Sequence, residues 1–66
     1  MNIILNGKTK DVPQKTTLQE LVGRSCQNPA RVIAELNGVV VKNPQWPGAV
    51  LKEGDSLELV NFVGGG

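Results

Sequence analysis

Histidine is absent from this chain. Its absence excludes His-based metal sites and the Ser/His or Cys/His pairs of nucleophilic catalysis. A single cysteine, Cys26, permits neither a disulfide framework nor a thiolate metal cage. With one arginine nearby and no histidine to activate it, Cys26 reads as a small hydrophobe. Tyrosine is also missing, and Trp46 and Phe62 are the only aromatic residues. Neither sign of charge dominates: seven Lys and Arg against six Asp and Glu leave a net charge of +1, and the cations are scattered. Nucleic-acid binding is therefore not expected. No apolar run reaches the length of a membrane span and no signal-peptide pattern opens the chain, so a soluble, cytoplasmic protein without membrane contact is expected. The phosphate-cradling Gly-x-x-x-x-Gly-Lys-Ser/Thr loop is missing too, which leaves no means of holding ATP. No metal and no cofactor is expected on this chain.

At 66 residues the chain allows one small domain with a single thin core. Such domains keep only about 3–5 kcal/mol of net stability. An enclosed catalytic cleft with its own supporting shell is hard to build at that size. A binding or carrier module, monomeric when free, is expected rather than an enzyme.

Asn2-Ile3-Ile4-Leu5 is strand-like, Asn6-Gly7 suits a tight turn with positive φ, and Lys8 to Val12 returns. Ile3, Leu5 and Val12 are its expected core contributors, and Pro13 ends the pairing. Thr17-Leu18-Gln19-Glu20 is a capping-box pattern. It predicts a short helix with Leu18, Leu21 and Val22 on one apolar stripe, weakened by Gly23 and closed by Asn28-Pro29. Val32 to Leu36 predicts a third strand with Val32, Ala34 and Leu36 inward and Glu35 toward water. Asn37-Gly38 is a second hairpin turn, with Val39-Val40-Val41 returning. Asn43 to Gly48, rich in Pro and Gly, reads as an irregular connection in which Trp46 caps the core. Val50 and Leu51 are both expected to re-enter that core. After a turn at Lys52-Glu53-Gly54-Asp55, the last strand should run from Ser56 to Phe62, with Leu57 and Leu59 facing in.

One mixed sheet of four to five strands covering one helix accommodates all these elements with a single hydrophobic layer. The last strand should pair with the first, in parallel, at the sheet centre. This is an α+β, β-grasp arrangement, with residues 1–63 as the domain and 64–66 as a flexible tail.

Gly64-Gly65-Gly66 makes the terminal carboxylate a candidate reactive group. Glycines pass through channels too narrow for other residues, and no side chain shields the carboxyl carbon. An idle, frayed tail is the alternative. Val60 and Phe62 fall on the face opposite Leu57 and Leu59. With Ile33 as a neighbour they suggest a docking surface beside the tail, although Phe62 could instead fold over the sheet edge.

The element order with its glycine-ended strand resembles the ubiquitin-like β-grasp proteins. The small size, the opening Ile3-Ile4-Leu5-Asn6-Gly7 and the ending Leu57-Glu58-Leu59-Val60-Asn61-Phe62-Val63-Gly64-Gly65-Gly66 resemble the thiamine-biosynthesis sulfur carrier family. That resemblance implies a protein co-substrate. A ubiquitin-activating-like adenylyltransferase would use ATP and Mg²⁺ to adenylate the Gly66 carboxylate, with Gly64 and Gly65 threading it into the partner's site. Sulfur from a cysteine-desulfurase-type donor would replace AMP and leave a thiocarboxylate, which thiazole synthase would consume. A free α-carboxylate, with a pKa of about 3.5, is a poor electrophile, which is why activation must come first. A molybdopterin-type sulfur carrier, a ubiquitin-like protein modifier and a plain interaction domain are the competing readings.

Overall fold

A computed structural model describes residues 1–26 and 28–61. Strands β1 (Asn2–Leu5) and β2 (Lys8–Asp11) form the first hairpin, and helix α1 (Leu18–Ser25) follows. A 3₁₀ turn, Pro29–Arg31, leads into β3 (Val32–Leu36) and β4 (Val39–Val41). A 3₁₀ helix, Asn43–Gly48, precedes β5 (Ser56–Asn61). The sheet order is β2-β1-β5-β3-β4, with β5 at the centre. It runs parallel to β1 and antiparallel to β3. This is the ubiquitin-like β-grasp expected from the element order, with five strands on one helix.

Both Asn-Gly pairs form their turns in the left-handed region, Asn6 and Gly7 at φ 50° and 82°, Asn37 and Gly38 at 51° and 85°. Two successive positive φ values match the right-handed twist of the strands they join, and asparagine tolerates them better than other side chains. Helix α1 opens on the expected box. The Glu20 N–H donates to Thr17 Oγ1 at 3.2 Å, and the Thr17 N–H donates to Glu20 Oε1 at 3.1 Å. Its stripe of Leu18, Leu21 and Val22 is buried against Ile3, Val32, Ala34, Leu51 and Leu57. Val12 is buried as expected, whereas Leu5, Leu36 and Leu59 are half-buried at the margin of the core.

Three expectations need correction. The Asn43–Gly48 connection is a 3₁₀ helix, not an irregular link. Pro44 lies in its first turn, where a missing N–H costs nothing. It delivers Trp46 into the core, 2% exposed, with the indole N–H donating to the Val41 carbonyl at 2.9 Å. Val50 does not enter the core but is 49% exposed. Leu18 N–H donates to the Ala49 carbonyl and Leu51 N–H to the Thr16 carbonyl, each at 2.8 Å, around a Thr17–Val50 bridge. In that extended stretch neighbouring side chains alternate, so burying Leu51 turns Val50 outward. The return strand of the first hairpin stops at Asp11, one residue short of Val12. The last strand is described to Asn61; its expected final residue, Phe62, lies outside the described residues.

Candidate functional site

The site is built around β5, because that strand leads toward the glycines. Ser56, Glu58 and Val60 alternate with the inward Leu57 and Leu59 and stand on the sheet face away from α1. Register fixes what lies beside them. Val60 is directly opposite Ile33, and Glu58 directly opposite Glu35, which in turn faces Val40 of β4. Ile33 is 44% exposed, Val60 53% and Val40 55%. Two of the three residues expected to dock a partner, Ile33 and Val60, are thus brought together as a cross-strand pair on the open face. Phe62, Gly64, Gly65 and Gly66 lie outside the described residues. Cys26 caps the helix end, half-buried, with its N–H donating to the Val22 carbonyl at 2.9 Å.

Both hairpin turns reach across to hold β5, a role the Asn-Gly motifs do not announce. The Asn6 N–H donates to the Leu57 carbonyl, and the Leu59 N–H donates to Asn6 Oδ1, both at 2.8 Å. The Asn6 side chain thereby adds a rung to the parallel ladder after β1 has ended. On the other flank, the Ser56 N–H donates to Asn37 Oδ1 at 2.9 Å and the Asn37 N–H to the Ser56 carbonyl at 2.7 Å. Asn37 Nδ2 also donates to Asp55 Oδ1 at 3.1 Å, and Asp55 Oδ2 accepts from the Lys52 N–H at 2.7 Å. The strand that carries the terminal segment is therefore pinned on both sides.

The described residues offer no cluster of three His, Cys, Asp or Glu side chains able to hold a metal ion. A concavity of about 260 Å³ on the first hairpin is lined by Leu5, Lys8, Thr9 and Lys10, with no carboxylate or thiol in its wall. The Glu20 carboxyl is held below the usual glutamate range by hydrogen bonds from the Thr17 backbone and side chain, with Arg24 adding a smaller effect. That belongs to helix capping and not to chemistry at β5. No described helix is long and apolar enough to cross a membrane.

A family model described as the ThiS family matches residues 3–66. The crystal structure of a thiamine biosynthesis protein (ThiS) from Geobacter metallireducens is similar over 100% of both chains, with a TM-score of 0.84 and 33% identity. An NMR solution structure of a thiamine biosynthesis protein from Geobacter metallireducens aligns with 100% of this chain and 88% of its own, with a TM-score of 0.80 and 35% identity. Two curated relatives are each named thiazole synthase. That of Magnetococcus marinus is 38% identical over 66 residues, and that of Paramagnetospirillum magneticum is 29% identical over 66 residues. All of this chain is covered in both matches, but it spans only 20% of each relative's length.

Proposed function

The chain belongs to the ThiS family, and from that premise we propose that it is the sulfur carrier for thiazole formation in thiamine biosynthesis. It is a co-substrate and not a catalyst. The observation that carries this reading is the position of β5. The central strand of the sheet leads directly in sequence to Gly64-Gly65-Gly66, within the stretch matched by the family model.

In this reading residues 1–63 are the presenting domain and 64–66 the thread. The Gly66 carboxylate attacks the α-phosphorus of ATP in the site of an adenylyltransferase of the ubiquitin-activating type, and pyrophosphate leaves. The partner supplies the ATP site and Mg²⁺. The outer sulfur of a persulfide supplied by a cysteine-desulfurase-type donor then displaces AMP from the acyl carbon to give an acyl disulfide. A thiol reductant cleaves its S–S bond, leaving a thiocarboxylate on Gly66 and the donor's sulfur in a disulfide with that thiol. A thiazole synthase takes that sulfur. Matches to two proteins named thiazole synthase support this last partner. Ile33 and Val60, with Phe62, are the docking residues beside the thread.

The test is intact-mass measurement after incubation with ATP, Mg²⁺, the adenylyltransferase, a persulfide donor and a thiol reductant. An oxygen-to-sulfur mass increment confined to the C-terminal peptide is expected, and deletion of Gly66 should abolish it. Conjugates to lysine without any thiocarboxylate would replace the carrier reading with that of a protein modifier. Transfer of the sulfur to a molybdopterin precursor, and not to thiazole synthase, would move it to the other carrier branch.

A further inference from the structure

Four of the six acidic residues have structural roles. Asp11 accepts from the α-ammonium of Met1 at 3.2 Å, and Glu20 completes the capping box. Glu53 accepts from the Asn2 N–H at 2.9 Å, and Asp55 ties its turn to Asn37 and Lys52. The remaining two, Glu35 and Glu58, are placed directly opposite each other on adjacent antiparallel strands. Their Cβ atoms are therefore roughly 5 Å apart, a pairing that is destabilising when both carry the same charge. Neither forms an ion pair: the one ion pair among the described residues is that of Met1 with Asp11, and all seven Lys and Arg are described. The next rung of the same face is the exposed Ile33–Val60 pair, and Val40 flanks Glu35 on the far side.

A domain of this size retains an unfavourable pairing at the centre of its open face. Local rules broken in this way concentrate at functional surfaces. We infer that Glu35 and Glu58 form, with Ile33, Val40 and Val60, a docking surface that receives an arginine of the thiazole synthase. Two carboxylates side by side match the planar fork of a guanidinium better than the point charge of an ammonium. The apolar side chains around them match the aliphatic stem of the arginine and the apolar residues beside it. The free protein carries the repulsion, and the partner's guanidinium relieves it on docking. The inference rests on the carrier reading above for the identity of the partner.

Two measurements on Glu35→Gln/Glu58→Gln should move in opposite directions. Removing the repulsion should raise the unfolding midpoint of the free protein. Titration calorimetry against the thiazole synthase of the same organism should show binding weakened at least about tenfold, the scale of close interfacial charge pairs. The salt dependence of binding should flatten as well. Wild-type binding that the double variant reproduces would overturn this surface while leaving the carrier reading intact. No wild-type binding to thiazole synthase would overturn both the partner assignment and the surface. Treating the synthase with phenylglyoxal, which blocks guanidinium groups, should erase the difference between wild type and variant; a difference that persists would overturn the arginine.

Discussion

Asn6 and Asn37 occupy equivalent turn positions, yet their side chains have different obligations. Among the described residues the Asn6 side chain makes one hydrogen bond, accepting from the Leu59 N–H through Oδ1. Asn37 accepts from the Ser56 N–H through Oδ1 and donates to the Asp55 carboxylate through Nδ2. An aspartate at either site keeps the acceptor and tolerates the positive φ. At position 37, however, it places a second carboxylate against Asp55 where a donor stood. Asn6→Asp should therefore stay within about 0.5 kcal/mol of wild type, whereas Asn37→Asp should cost about 1 kcal/mol or more. Urea unfolding midpoints at neutral pH check the contrast, and equal losses would show that the Asn37–Asp55 bond contributes nothing. The dipeptides Asn6-Gly7 and Asn37-Gly38 suffice to predict both turns, since positive φ is a local property. Their reach to β5 is not legible there, because the bonded partners lie 53 and 19 residues away.

Helix α1 is a short element, eight residues long with Gly23 inside it, so its ends matter more than its propensity. The capping box lowers the Glu20 titration below the usual glutamate range. A carboxyl whose folded-state pKa is depressed adds stability that is fully present above its unfolded pKa and lost as the pH falls through the folded one. Acid should therefore weaken the helix start within the carboxylate range, and Glu20→Ala should remove that part of the pH dependence. Side-chain carboxyl NMR titration of Glu20, alongside thermal melts from neutral to acid pH, tests this. A Glu20 titration at or above the ordinary glutamate value would contradict it. The box and the stripe Leu18, Leu21, Val22 are legible because both are i to i+3 and i to i+4 patterns. The 3₁₀ helix at Asn43–Gly48 is not, since Pro44, Pro47 and Gly48 carry the composition of a loop. Its formation rests on burying Trp46 and on the indole bond to Val41. Val50 illustrates the same limit. An apolar residue beside Leu51 reads as core until the Thr17 bridge sets which of the two points inward.

For the whole molecule, β5 is the strand on which the layers converge. It lies between β1 and β3, carries the fully buried Leu57 toward α1, and leads in sequence to the glycines. Deleting a buried leucine side chain costs about 2–5 kcal/mol, against a net stability on the order of 3–5 kcal/mol for a domain this small. Leu57→Ala should thus leave the protein largely unfolded at 25 °C by circular dichroism, whereas removing Gly66 should not change the unfolding midpoint. A cooperative, near-native melt for Leu57→Ala would show that the core is less dependent on this strand than its central place implies.

What the amino-acid sequence determined by itself is what depends on near neighbours. That covers the turns, the capped helix, the alternation of each strand, the order of the elements and the motif Val60-Asn61-Phe62-Val63-Gly64-Gly65-Gly66. Periodicity, capping and positive φ act over a few residues, so they can be read directly. The parallel placement of β5 against β1 also followed, because one sheet and one helix leave few ways to bury a single apolar layer. Only the tertiary structure decided the register. Register placed Ile33 against Val60, set Glu35 against Glu58, and drew the two asparagine turns onto the flanks of β5. Alternation says which side of a strand a residue takes. Which residue it meets across the sheet follows from how the whole core packs.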